Sequence, residues 1–172
     1  MIHRDAIQFL EEHQPMPDNP PGPLMEGFLA TTRHFYDNPD PACIPLYLNA
    51  LGEWDDYLSL YESIRTIILR FPKHVVLPHL KLGLEARNKP TRLWCADFAC
   101  YLPDESMIPR LRRMLKEEDP AMRMVAAAAL ECIGTSAVCE VAEEALLGED
   151  DPTVRAILNA IITGNSEDSY VW

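Results

Sequence analysis

Asp119-Pro120-Ala121-Met122-Arg123 and Asp151-Pro152-Thr153-Val154-Arg155 are one five-residue phrase written twice, thirty-two residues apart. A looser echo, Lys89-Pro90-Thr91-Arg92, stands about thirty residues upstream. Self-similarity at a fixed period of this size marks stacked supersecondary units, none of which can bury its apolar face alone. Units of this kind must pack against their neighbours, and the stack presents an extended surface to partners.

The units read as helix pairs. A proline stands near the start of each first helix, in Ile44-Pro45-Leu46, Leu77-Pro78-His79 and Ile108-Pro109-Arg110, at spacings of 33 and 31 residues. Proline suits the first turn because its missing N–H has no intrahelical partner there. The fourth first-helix carries Glu140 at the corresponding place. Two of the second helices open with Asp as N-cap and Pro next. Gly134, Gly148 and Gly164 follow apolar runs, as left-handed C-terminal caps do. Across 137–147 the apolar residues Val138, Val141, Ala142, Ala145 and Leu146 form one helix face, with Glu140, Glu143 and Glu144 on the other. Helix 152–163 is apolar over a wider arc, which predicts packing on more than one side. Helix 120–133 is similar, and its run Ala126-Ala127-Ala128-Ala129 permits close helix approach. No strand-like alternation of useful length occurs, so the predicted fold class is all-α.

The first quarter, 1–42, is less regular. It predicts a short helix over 4–13 and a second over 24–36, both packed on the repeats. Pro15, Pro17, Pro20, Pro21 and Pro23 lie between them. No helix interior tolerates that density, so 15–23 is expected to lie extended on the body. The repeats then run from 43 to 164. Residues 165–172 either fold back over the last repeat or form a short tail.

The proline in the first helix, the Asp at the turn and the apolar-Arg pair early in the second helix resemble HEAT repeats. Within that armadillo-like class they are most similar to the short, roughly 31-residue kind found in phycobilisome-lyase-like proteins. The resemblance implies a right-handed α-α superhelix, a HEAT-like solenoid of about four to five helix pairs. It also implies a structural ladder of hydrogen bonds between neighbouring units, carried by Asp119, Arg123, Asp151 and Arg155. It covers about residues 43–164 and is good for the last two repeats. Upstream, Arg92 is one position out of register relative to its proline, and Arg65 lacks a preceding Asp-Pro.

The functional expectation rests on charge and on what is missing from the chain. Lys and Arg number 15 against 27 Asp and Glu, a net of −12, and eight of the acids fall after Ala137 with only Arg155 to offset them. Such a field repels a phosphate backbone and attracts a basic protein, so the expected partner is a protein and not a nucleic acid. Charged residues interrupt the N-terminus where a secretory signal would be apolar, and no stretch is long enough to span a membrane. Cys43, Cys95, Cys100, Cys132 and Cys139 form no Cys-x-x-Cys pair and read as reduced thiols of a cytoplasmic protein.

No metal or cofactor is expected. His74 and His79 are five apart and do not share a helix face as ligands, while His3, His13 and His34 fall in the irregular quarter. No phosphate loop or nucleophile elbow is present. Asp97, a carboxylate in apolar Trp94-Cys95-Ala96-Asp97-Phe98, is expected to pair with Arg87 or Arg92. Partner-binding candidates are Trp54, Asp55, Asp56, Tyr57, Tyr61 and Glu62, an aromatic-acid patch suited to a cationic partner, together with Asp97, Glu140, Glu143 and Glu144. The sharpest expectation is a non-catalytic bacterial immunity protein that neutralises a basic toxin by direct binding. One alternative is a bilin lyase-like chromophore chaperone with Trp94, Cys95, Cys100 and Tyr101 lining a pocket. Another is a DNA-glycosylase-like protein using Trp94 and Asp97, whose basic groove would have to come from Arg110, Arg112, Arg113 and Lys116.

Overall fold

The computed structural model describes residues 2–17, 20–52 and 58–164. Trp54, Asp55, Asp56, Tyr57 and the tail 165–172 lie outside the described residues. The described residues form ten α-helices and one 3-10 turn, with no strand among them: α1 (His3–Glu12), α2 (Gly22–Asp37), α3 (Cys43–Ala50), α4 (Leu58–Ile68), α5 (Lys73–Gly83), α6 (Lys89–Tyr101), the turn Glu105–Met107, α7 (Ile108–Met114), α8 (Pro120–Ile133), α9 (Ser136–Leu146) and α10 (Pro152–Thr163). The chain divides into two compact units, Met1–Cys95 and Ala96–Trp172, with the boundary inside α6.

In unit 1, α1 packs on α2 and α3, α2 on α4, and α3 on α5. This alternation, each helix packing on the next but one, is that of stacked helix pairs, and α1 and α2 take part in it. Pro23 stands in the first turn of α2, so the helix begins at Gly22 and the extended stretch is shorter than the expected 15–23. Met16 anchors that stretch: its side chain is buried and its N–H donates to Ala50 O at 2.8 Å. Rings fill much of the interior. Phe9 meets Phe28 edge-on at 5.3 Å, Phe35 meets Tyr47 at 5.9 Å, and Tyr61 lies 4.1 Å from Trp94. Such pairs add roughly 0.5–1.5 kcal/mol each beyond area burial.

In unit 2, α8 packs against α7, α9 and α10, and α10 against α8 and α9. Helix α8 is the inner element: Met122, Val125, the four alanines 126–129 and Leu130 are all buried. Small side chains on every side allow three neighbours to approach it. Helix α10 differs from its expected wide burial. It buries a single stripe, Val154, Ile157, Leu158 and Ile161, against α8 and α9.

The period becomes clearer in three dimensions. Arg92, Arg123 and Arg155 are each the fourth residue of their helix, in α6, α8 and α10. The register slip seen in the sequence belongs to the proline, which is second in α6 and first in α8 and α10. The N–H groups of these arginines donate to the carbonyls of Asn88, Asp119 and Asp151 at 3.3, 3.2 and 3.0 Å. Asn88 therefore stands where the aspartates stand. Asp119 caps α8 by accepting from Ala121 N, and Asp151 caps α10 by accepting from Thr153 N and Val154 N.

Two end signals need correction. Pro78 lies inside α5, not in its first turn, because Pro72 already supplies the N-cap and starts the helix at Lys73. Gly134 and Gly164 have φ of 63° and 67°, the left-handed cap conformation. Gly148 does not, since α9 has already ended at Leu146 and Leu147 closes it in helical geometry.

Candidate functional site

Three arginines reach back to backbone carbonyls and hold the turns that precede their helices. In unit 1, Arg92 Nη1 donates to Ala86 O at 3.0 Å and Arg87 O at 3.1 Å. In unit 2, Arg123 Nη1 donates to Glu117 O and Glu118 O, again six and five residues back. Arg155 Nη1 donates to Glu149 O and Leu146 O.

Arg123 adds a clasp between repeats. Its Nε and Nη2 each donate to the Glu149 carboxylate at 2.8 Å, and Nη2 reaches Asp150 at 3.3 Å. The Glu149 side chain is only 3% exposed, and its Oε1 also accepts from Asp150 N and Asp151 N. These charge-assisted bonds, led by the one from Arg123, hold the Glu149 carboxyl below the usual carboxylate range. The ladder thus has arginine on carbonyls within a repeat and an Arg–Glu fork across repeats, while the aspartates cap helices.

Family comparison identifies these repeats. The family model for HEAT repeats matches residues 77–162, half of the chain. The chain belongs to the HEAT-repeat family. No curated protein and no solved structure matches it. HEAT repeats are protein-binding modules, so the surfaces that break the repeat's internal bonding are the places to look for a partner.

The sequence-predicted partner residues are scattered over the two units. Tyr61 is 6% exposed with its ring tilted 34° against that of Trp94, and Asp97 is 8% exposed, so neither offers a surface. The apolar context that made them conspicuous in the sequence is the core itself. Burial pushes the Asp97 carboxyl up to about 6. Glu62 pairs with Arg65 one turn away on α4. Glu144 accepts from Arg112 of α7 and from Lys116 just beyond its end, which also ties down half of the basic cluster considered as a DNA groove. Glu140 and Glu143 remain exposed on α9.

The chromophore alternative also meets the core. Trp94 is 5% exposed and donates Nε1–H to Gly52 O at 2.8 Å, while Cys95 is fully buried. Among the described residues, no group of three or more His, Cys, Asp or Glu is placed to hold a metal, and no helix is long and apolar enough to cross a membrane.

A different feature of unit 2 has open hydrogen-bonding capacity. A cleft of about 450 Å³ lies where α8 and α10 end, lined by Glu131, Gly134, Thr135, Val138, Cys139 and residues 160–164. Two side chains of its lining carry buried atoms, Glu131 Oε1 and Thr135 Oγ1, that have no hydrogen-bond partner among the described residues. The C-termini of α8 and α10 bring partial negative charge to the cleft. The N-terminus of α9, at Ser136, brings partial positive charge. With the Glu131 carboxylate the sum is negative. Sequence reasoning passed over Glu131 because it ends an apolar run without any motif; only Gly134 and Gly164, read as helix ends, pointed to this place. A second hollow of about 400 Å³ on α7–α9 is lined by Arg112, Lys116, Arg123, Glu144 and Glu149, whose charges already satisfy one another.

Proposed function

We propose that this HEAT-repeat protein binds another protein through a basic surface of that partner, and that the cleft at the ends of α8 and α10 receives one of its cationic side chains. The carrying observation is the pair of buried atoms without a partner among the described residues, Glu131 Oε1 and Thr135 Oγ1, on side chains that line a cleft of net negative character. A buried polar atom without a partner costs about 1–3 kcal/mol, which an incoming donor recovers. A guanidinium brings five N–H donors in a planar fork and an ammonium three, and either neutralises the carboxylate.

The wider field works in the same direction. Residues 96–172 contain six Lys and Arg against fifteen Asp and Glu, a net of −9. Such a field accelerates encounter with a basic protein and weakens with salt. The finer form of the proposal is an immunity protein of a bacterial cytoplasm that neutralises a basic toxin. It is supported by the family, which supplies the binding scaffold, and by the charge. Co-expression with the protein encoded next to it should give a stable 1:1 complex, and a tight complex with an unrelated protein instead would contradict this finer form.

The cleft itself is tested with a fluorescent arginine-containing peptide and fluorescence anisotropy. Loss of one charge-assisted hydrogen bond corresponds to a roughly 10–100-fold weaker Kd for Glu131→Gln. Glu140→Gln and Glu143→Gln make the same change of charge and should weaken it less than about threefold. Equal effects at all three positions would show a diffuse charge effect and no cleft.

A further inference from the structure

Unit 1 brings together two histidines that stand thirty-one residues apart in the sequence. His3 begins α1 and His34 lies in the last turn of α2, and their facing nitrogens, His3 Nδ1 and His34 Nε2, are 3.2 Å apart. The other ring nitrogen of His3, Nε2, lies 2.9 Å from Asp40 Oδ2, in the loop that leads to α3. Asp40 is itself held, because its Oδ1 accepts from Ala42 N at 2.8 Å. Both imidazoles stand edge-on to the ring of Phe35, at 5.5 and 5.2 Å, and Phe35 is fully buried beneath them. The side chains of His3 and Asp40 are 44% and 35% exposed, so small ions reach them from solvent.

We propose that His3 and His34 are the protein ligands of a zinc-type divalent metal site, with Asp40 as the positioning residue and water completing the coordination. A carboxylate only accepts, so neutral His3 donates Nε2–H to Asp40 and keeps a bare lone pair on Nδ1. Metal-ligating imidazoles use this same carboxylate pairing to fix their tautomer and raise their basicity. Without metal, that lone pair accepts from His34 Nε2–H. The cation takes the place of the shared hydrogen: it bonds to both nitrogens, and His34 carries its proton on Nδ1 instead. No net proton is released.

The spacing suits the metal. Two nitrogens each about 2.0–2.1 Å from a tetrahedral zinc stand about 3.3–3.4 Å from one another. The observed 3.2 Å is close to that separation, and a small turn of either ring aims both lone pairs at one point. Imidazole selects zinc and its transition-metal neighbours, whereas calcium and magnesium take oxygen ligands. His13 of the same unit has no such geometry: its Nδ1 lies 2.7 Å from Phe9 O and its ring stacks on Phe9. Because the two ligands come from different helices, the bound cation ties α1 to α2.

The test is a titration of the whole protein with zinc chloride, followed by long-range proton–nitrogen spectra of the imidazoles, which report tautomer and metallated nitrogen directly. The expected result is a saturable change at His3 Nδ1 and His34 Nε2, reversed by a chelator. His13, His74 and His79 should keep their signals, and calcium chloride should change none of them. Asp40→Asn keeps an acceptor for Ala42 N but turns an N–H toward His3 Nε2, which drives the His3 proton onto Nδ1. It should weaken the zinc Kd by roughly 10–100-fold. His34→Gln should abolish the response at His3. Zinc-induced changes confined to the cysteines or to other histidines would overturn the proposal, and an unchanged Kd in Asp40→Asn would overturn the role given to Asp40. A wild-type spectrum in which His3 and His34 never respond to excess zinc would also overturn it, and that readout needs no variant to fold.

Discussion

Unit 1 fills its interior with rings and unit 2 fills its interior with short aliphatic groups. Phe28, Phe35, Tyr47, Tyr61 and Trp94 are buried in the first, whereas Phe98 is the one buried ring among the described residues of the second. The ionic bonding differs in the same way. The Glu62–Arg65 pair of unit 1 has side chains 44% and 24% exposed, while the Glu149–Arg123 pair of unit 2 has them 3% and 13% exposed. In unit 1 helix spacing is set by bulky shapes that can be met by many residues, so little sequence periodicity is required. In unit 2 a small-residue helix is held by buried polar bonds that tolerate few substitutes, and the period is written plainly. The HEAT match beginning at residue 77 follows this division.

The largest expected effect breaks the clasp. Arg123→Ala leaves Glu149 buried and unpaired and should cost about 3–5 kcal/mol in chemical denaturation. Glu62→Gln, which removes the exposed pair of unit 1, should cost no more than about 1 kcal/mol. Similar losses at both places would remove the distinction between the units.

The next effect depends on pH. Asp97 has its pKa raised from 3.8 to about 6 by burial. A folded-state pKa above the unfolded one means that the native state holds the proton more tightly. The stabilisation by the neutral carboxyl is complete below about pH 4 and is lost as pH rises through about 6. Asp97→Asn should therefore match the wild type near pH 4 and exceed it by about 2–3 kcal/mol at pH 8. A difference that does not change with pH would contradict this.

Glycine substitutions probe the two modes of packing. A methyl at Gly83 would stand 2.1 Å from Cys95 Sγ inside unit 1, so Gly83→Ala should overpack and cost about 1–3 kcal/mol. Gly164 of unit 2 has no atom of the described residues within 4 Å of an added methyl but a φ of 67°, so Gly164→Ala should cost about 1 kcal/mol from the backbone alone. Thermal melts of the two variants would separate steric from conformational cost.

The frame was legible in the sequence because its signals are local. Asp119 with Pro120 and Asp151 with Pro152 announce helix starts, and Gly134 and Gly164 announce helix ends. The register of Arg92 was obscured because proline, not arginine, moves within the first turn of α6. Tyr61 and Asp97 looked like surface candidates because a sequence shows residue type and not depth. Glu131 and Thr135 were hidden for another reason. Each acquires its meaning from a helix end or a neighbour brought close only by stacking, and no spacing rule encodes an unsatisfied oxygen.

The cleft at the ends of α8 and α10 carries the proposed recognition of a cationic side chain, and a two-dimensional amide NMR titration with N-acetyl-arginine methylamide tests it most directly. The predicted result is a set of saturable shifts at Glu131, Thr135, Cys139 and residues 162–164, lost in Glu131→Gln, with unit 1 unaffected. Shifts centred instead on Glu140 and Glu143, or spread evenly over both units, would contradict it.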